Sequence, residues 1–245
     1  MPDSEITIQN DGEPSLVTTF PTRGYQQEML EESLRRNIII ALDTGAGKTH
    51  IAVLRMKRET ESESRKVCVC AIFCCVAQAI ICITNSTQVS WFITPTVALA
   101  RQQQAVIAGH IPVSVGLISG TNEPDQWKDP ELWRRVLNTH RIVVSTPDVL
   151  LNALRHGYVH LGRDIGLLVF DEAHHAADRH SYNLVMREFY DELPPRSNFA
   201  GDADKDKIMR PVILGLTASP IFGGNAERAF RRVKKELFLP GDTRS

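Results

Sequence analysis

Short apolar runs alternate along this chain with longer stretches that repeat apolar residues at helical spacing. Asn37 to Ala41, Trp91 to Ile93, Val113 to Ile118, Arg141 to Ser145, Gly166 to Phe170 and Val212 to Leu216 have the length and character of buried strands. Between them the spacing predicts helices over Arg23 to about Arg36, over Ile51 to about Glu59, and over Ala98 to Ala108 with a stop at Gly109. Further helices are expected at Asp125 to Asn138, interrupted near Pro130, at Pro147 to Leu154, at Ser181 to Tyr190 and, in a basic stretch, at Ala226 to Phe238. Trp127, Leu132, Trp133 and Val136 are the packing candidates of the Asp125 helix. Strand and helix in regular succession imply an α/β fold, a single parallel sheet covered by helices on both faces. Residues 1–22 read as a loosely packed leader, Thr60 to Lys66 as a charged surface connection, and Leu193 to Met209 as an exposed loop.

One stretch breaks the alternation. Val67 to Thr84 carries no charge and holds all five cysteines of the chain, Cys68, Cys70, Cys74, Cys75 and Cys82. No second cysteine cluster exists to pair with them, so neither a disulfide framework nor a zinc spacing is in view. On hydropathy alone the run is a marginal spanning segment. Its place inside a soluble α/β pattern argues against a membrane. Val67-Cys68 can be encoded GTATGT, Thr84-Asn85 ACTAAC and Gln88 CAG, the three signals of a short fungal-type intron. Residues 67–88 are therefore read as a retained-intron insertion, the alternative being a genuine apolar strand or helix. A spliced transcript that still encodes 67–88 contradicts the intron reading.

Composition narrows the setting. With 28 basic and 29 acidic residues the formal charge is −1, so any nucleic-acid contact must be local and lean on backbone donors. The amino terminus shows no signal or transit pattern, and the protein is expected inside the cell, in cytoplasm or nucleus.

The chemistry concentrates at strand ends. Leu42-Asp43-Thr44-Gly45-Ala46-Gly47-Lys48-Thr49 lies between a strand and a helix, the setting of a phosphate-binding loop. Gly45 and Gly47 let the backbone curl its N–H groups inward, Lys48 would supply charge to phosphates, and the Thr49 hydroxyl can ligate magnesium. Leu42 stands where the general pattern has its first glycine. Asp171-Glu172-Ala173-His174 follows another apolar strand. There Asp171 would hold magnesium, partly through water, and Glu172 would deprotonate the attacking water. Leu216-Thr217-Ala218-Ser219 ends the last strand, where its hydroxyls would link the Glu172/His174 loop to movement elsewhere. Pro95-Thr96 and Thr146-Pro147-Asp148 are further turns at strand ends, suited to a sugar–phosphate backbone.

Gln26, T-G-A-G-K-T, P-T-V-A-L-A, T-P-D-V-L, D-E-A-H and T-A-S stand here in the order and spacing that resemble the first RecA-like domain of a superfamily 2 helicase. The resemblance runs from Arg23 to about Gly224, leaving 225–245 as a basic helix and tail. Within that superfamily, the phosphate loop with its helix, Asp-Glu-Ala-His-His-Ala and Leu-Gly-Leu-Thr-Ala-Ser-Pro-Ile-Phe-Gly-Gly are most similar to the helicase region of fungal Dicer-like proteins. The resemblance implies a RecA-like P-loop fold, ATP and Mg2+ as ligands, and engagement of double-stranded RNA in RNA silencing and antiviral defence. It places Tyr25 and Gln26 with the loop in the nucleotide-binding set, Gln26 on the adenine. It makes Lys48, Asp171 and Glu172 catalytic, gives His174, Thr217 and Ser219 a coupling role, and sets Pro95, Thr96, Gln102, Thr146, Pro147 and Asp148 on the RNA track.

Helicases of this kind close a second RecA-like domain over the nucleotide, and Dicers cut RNA with ribonuclease III domains. The chain as given holds neither, so weak ATP turnover and no RNA cleavage are expected, the remainder of a Dicer-like chain being the missing partner. The rival readings are a superfamily 2 DNA helicase fragment and a non-catalytic RNA- or partner-binding remnant.

Overall fold

The computed structural model describes residues 22–73 (the backbone alone over 63–73), 88–119, 128–176, 180–194, 208 and 210–218. Residues 1–21 of the expected leader, 74–87 of the apolar stretch, Trp127, 195–207 and 209 of the expected loop, Ser219 and the basic helix Ala226 to Phe238 lie outside them.

Among the described residues six strands form one sheet: β1 (Ile38–Ala41), β2 (Val89–Ile93), β3 (Val115–Ile118), β4 (Ile142–Ser145), β5 (Ile165–Phe170) and β6 (Val212–Thr217). Every pairing is parallel, in the spatial order β1-β6-β5-β2-β4-β3. The strands are short and almost wholly apolar because both faces are covered. Alternate residues of β2 and β5 point to opposite faces and join two separate cores. Trp91, Ile93, Leu168 and Phe170 pack with Trp133, Leu150 and Tyr182 on one side; Phe92, Leu167 and Val169 pack with Ile51, Met56 and Ile107 on the other. The first core is roofed by α4 (Pro130–Thr139), α5 (Pro147–Arg155) and α7 (Ser181–Val185). The second lies under α2 (Lys48–Phe73) and α3 (Val97–His110), with α1 (Gly24–Arg35) lodged against α2. A short α6 (Leu161–Asp164) leads directly into β5.

The α/β architecture and the parallel sheet stand as the sequence pattern implies, while several boundaries differ for local reasons. Helix α2 does not end near Glu59; it runs through the supposed surface connection to Phe73. Thr60 to Lys66 is polar but contains no glycine or proline, and Arg58–Glu61 spans one turn of the helix at 3.9 Å. Polarity alone does not end a helix there, since nothing in the stretch breaks the backbone pattern. Gly109 does not stop α3, which continues to His110; the His110 ring nitrogen Nδ1 lies 2.7 Å from the Val106 carbonyl oxygen. Pro130 opens α4, with Asp129 as cap accepting from Glu131 N–H at 2.9 Å; residues 125–127, the start of the expected helix, lie outside the described residues. Trp133 is buried and stacks on Tyr158, whereas Val136 is partly covered. The Ser181–Tyr190 segment is α-helical only to Val185 and then widens into a π-turn over Met186–Tyr190. There the Tyr190 hydroxyl accepts from Asn37 Nδ2 at 2.8 Å, while Asn37 Oδ1 accepts from Ile213 N–H. The two ends of the Leu193–Met209 stretch are tied by Arg210, which donates to the Leu193 and Asp191 carbonyls. Among the described residues no helix is long and apolar enough to cross a membrane.

Candidate nucleotide and nucleic-acid site

Most of the candidate chemistry that falls on described residues lies at the carboxyl ends of the strands, the edge where open parallel sheets bind ligands, while Tyr25 and Gln26 come from α1 and Gln102 from α3. Strand order divides that edge. β1, β6 and β5 carry the phosphate loop, Thr217 and Asp171-Glu172. The neighbouring β2 and β4 carry Pro95-Thr96 and Thr146-Pro147-Asp148.

The loop after β1 is held from both sides. Leu42 N–H donates to the Thr217 carbonyl at 3.1 Å, which extends the β1–β6 ladder into the loop. Ala46 N–H closes a turn onto the Asp43 carbonyl at 3.1 Å. Gly45 and Gly47 take φ values of +83° and +86°, where a side chain is strained. At Gly47 a Cβ would also lie 2.4 Å from Gln26 Nε2, so the Gln26 amide would have to move. From α1, Tyr25 donates its hydroxyl to the Ala46 carbonyl at 2.8 Å and Gln26 Nε2 reaches the same oxygen at 3.4 Å. Gln26 Oε1 accepts from Arg23 N–H at 3.0 Å, so both ends of this buried amide hold loop and helix start together. Lys48 folds back on the loop, donating to the Leu42 carbonyl at 2.9 Å and the Asp43 carbonyl at 3.4 Å.

Opposite the loop, β5 delivers Asp171 and Glu172. Asp171 N–H donates to the Ile93 carbonyl at 2.8 Å, and its own carbonyl accepts from the Tyr182 hydroxyl at 2.7 Å. Tyr182 meets Phe170 edge-on at 5.0 Å, so α7 fixes the strand end from below. Glu172 is the one non-glycine residue with positive φ among those described, at φ 49° and ψ 49°. That left-handed turn costs about 1–2 kcal/mol, and strain of this kind gathers at functional sites. Glu172 Oε2 lies 3.2 Å from His174 Nδ1, which in turn is 3.1 Å from Thr217 Oγ1. His174 Nδ1 thus sits between the Glu172 carboxylate and the Thr217 hydroxyl at the ends of β5 and β6, with its hydrogen bond on the Thr217 side and Glu172 Oε2 left without one. Burial, with His175 adding to it, holds the His174 imidazole below its ordinary value; the Glu172 charge pulls the other way.

Burial and the adjacent Glu172 charge push the Asp171 carboxyl from 3.8 up to about 6, against the Glu172 N–H, Lys48 and Gln103, which lower it. A carboxylate raised in the folded state disfavours folding fully above its folded pKa, and the penalty fades as pH falls from about 6 towards 4. Asp171→Asn should therefore raise the melting temperature of the metal-free protein at pH 7.5, by about 1–3 kcal/mol of stability. At pH 5 the gain should shrink. Thermal melts in EDTA at the two pH values check this, and an equal gain at both contradicts it.

Gln103 is the residue that sequence reading passed over. Gln102, one position earlier on α3 and expected on the RNA track, is exposed; Gln103 is turned inward, 8% exposed. Its Nε2 lies 3.4 Å from Thr49 Oγ1 and 3.3 Å from Asp171 Oδ2. Helical spacing from Ala100 and Ile107, the buried positions on either side, was the signal that could have found it. Of the turn residues, Thr96 uses its hydroxyl to cap α3, accepting from Leu99 N–H at 3.3 Å. Pro147 is buried, Thr146 is partly exposed, and Asp148 accepts from the Ser181 hydroxyl. Ile93 pairs with Ser145, so the two turns sit side by side.

Comparison with known proteins agrees with this geometry. The chain is 41% identical over 223 residues to Dicer-like protein 2 of Aspergillus fumigatus, spanning 91% of this chain and 14% of that protein. It is 40% identical to Dicer-like protein 2 of Cryphonectria parasitica, over 85% of this chain and 12% of that protein. The Coccidioides immitis protein of the same name is 43% identical over 87% of this chain and 13% of its own length. The chain thus spans about one-seventh or less of these relatives. Among solved structures, the helicase domain of Hef from Pyrococcus furiosus superposes with a TM-score of 0.61 at 23% identity, over 89% of this chain and 36% of that one, which speaks for the fold alone. The profile of DEAD/DEAH box helicases matches residues 23–222. A parallel RecA-like sheet, a glycine loop between β1 and α2, and Asp-Glu-Ala-His at the end of β5 accompany that match: the chain belongs to the DEAD/DEAH box helicase family.

Proposed function

We propose that this domain binds ATP and Mg2+ as the first RecA-like half of a Dicer-like helicase, and that it engages double-stranded RNA in RNA silencing and antiviral defence, in cytoplasm or nucleus. The observation that carries the reading is the convergence of Lys48, Thr49, Asp171 and Glu172 at one sheet edge, beside the paired turns of β2 and β4.

The donor set suits magnesium, a hard cation that takes oxygen ligands and keeps several waters. Thr49 Oγ1 and Asp171 Oδ2 both approach the same Gln103 nitrogen, so two oxygens of the right kind already share one site. Thr49 and Asp171 would hold the ion, which when bound supplies charge neutralisation on the phosphate oxygens. The curled loop offers its N–H groups to the phosphates, and Lys48 exchanges the Leu42 carbonyl for phosphate oxygen. Glu172 takes a proton from a water whose oxygen attacks the γ-phosphorus. The new P–O bond forms as the bond to the bridging oxygen breaks, and ADP leaves with that electron pair. His174 and Thr217 carry the change at Glu172 to β6.

Turnover needs more than these residues. An arginine finger contributes about 10³–10⁵ in rate, and in this reading it comes from a second RecA-like domain in the longer protein. Single-turnover hydrolysis by the chain should be slow and stimulated by blunt duplex RNA more than by branched DNA. Robust multiple turnover overturns the half-site reading, and a preference for branched DNA replaces it with a DNA helicase.

A further inference from the structure

Resting on the nucleotide-site reading, we infer that Gln103 is a positioning residue for the metal. Its carboxamide spans the two ligands that would hold the ion and presents an acceptor to the ion's bound water. Three observations meet on this side chain. It is 8% exposed, and in the core opposite the sheet from Trp91 its helix neighbours Ala100 and Ile107 are fully covered, so an amide there has a cost unless it is used. Its Nε2 lies at hydrogen-bonding range from Thr49 Oγ1 and Asp171 Oδ2, which come from different elements. Its Oε1 is buried with no hydrogen-bond partner.

The orientation of the amide is set by chemistry. Ionised Asp171 can only accept, so the nitrogen must face it, and the oxygen is the end left over. A buried carbonyl oxygen without a donor is unfavourable by about 1–3 kcal/mol. Magnesium retains waters when it binds one hydroxyl and one carboxylate, and such waters are strong donors. An unsatisfied acceptor on the amide whose nitrogen already reaches both ligand oxygens is the complement of that hydrate. The amide also keeps Thr49 and Asp171 in register when no ion is present, across the gap between α2 and β5. Because α3 begins at the Thr96 turn on the proposed RNA track, the same helix that touches nucleic acid would orient the metal ligands.

The test is equilibrium binding of a fluorescent ADP to the chain, titrated with MgCl2 and repeated in EDTA. Gln103→Met keeps length and apolar packing but removes both amide functions; Gln103→Asn keeps the amide and withdraws it by one methylene. Both should bind fluorescent ADP like the wild type in EDTA, and both should need about tenfold more Mg2+ to reach tight binding, the usual scale for losing an outer-shell partner. An unchanged Mg2+ midpoint in either variant that melts cooperatively overturns the inference. So does an equal loss in EDTA, which would make Gln103 a core residue that shapes the loop. A wild type that binds no fluorescent ADP at any Mg2+ concentration overturns the nucleotide-site reading itself, and this inference with it.

Discussion

Glu172→Gln should slow single-turnover ATP hydrolysis by about 10²–10⁴, equivalent to roughly 3–5 kcal/mol of barrier, with nucleotide affinity unchanged. The substitution keeps the side-chain length and the left-handed turn at φ 49°, so the strand end stays as it is. What it removes is the capacity to take a proton. A glutamine also lacks the charge that, after burial, is the second cause of the raised Asp171 carboxyl, so Asp171 should ionise more readily in the variant. Magnesium-dependent binding should therefore hold or improve while chemistry fails, and this split separates a base from a structural residue. A fall of less than tenfold would mean that some other group takes the proton. Parallel loss of binding would mean that Glu172, through its 3.2 Å approach to His174, mainly holds the site together.

The legible parts of the fold were those that one physical signal dominates. Buried parallel strands are apolar on both faces, so all six stood out as short runs, each with one end displaced by one or two residues, at Ile38, Val89, Val115, Ile142, Ile165 and Thr217. Helix ends were harder, because the same residue types serve opposite purposes. Pro130 supplies no N–H, which breaks a helix interior and suits a first turn; Asp129 just before it decides for the latter. Gly109 reads as a stop only where the chain turns left-handed, and it keeps ordinary φ there.

The site divides in the same way. Gly45, Gly47, Lys48, Asp171 and Glu172 stand out as candidates because the backbone and charge demands of phosphate chemistry would allow few residue types at that spacing. Tyr182, Gln103 and Asn37 were not, since their work depends on contacts from distant elements. Tyr182 reaches the Asp171 carbonyl from α7, and Asn37 spans β6 and the π-turn. In sequence a buried glutamine in Gln102-Gln103-Gln104 looks like its exposed neighbours.

The second large effect is expected at Lys48, where the whole account meets one side chain. Lys48→Ala removes a cation now held by two loop carbonyls, Leu42 and Asp43, which makes it available to stronger acceptors without unfolding the loop. Charge-assisted hydrogen bonds are worth about 1.5–3 kcal/mol, so affinity for ATP with magnesium should fall about 10–100-fold. Tyr25 and Gln26 still grip the Ala46 carbonyl in the variant, so its melting temperature should be close to that of the wild type. Calorimetric titration of ATP with Mg2+ into the two proteins is the most direct measurement of the central claim. The account predicts saturable, magnesium-dependent binding at one site in the wild type and a loss of at least about tenfold in a folded Lys48→Ala protein. No binding by the wild type, or equal binding by both, would contradict it.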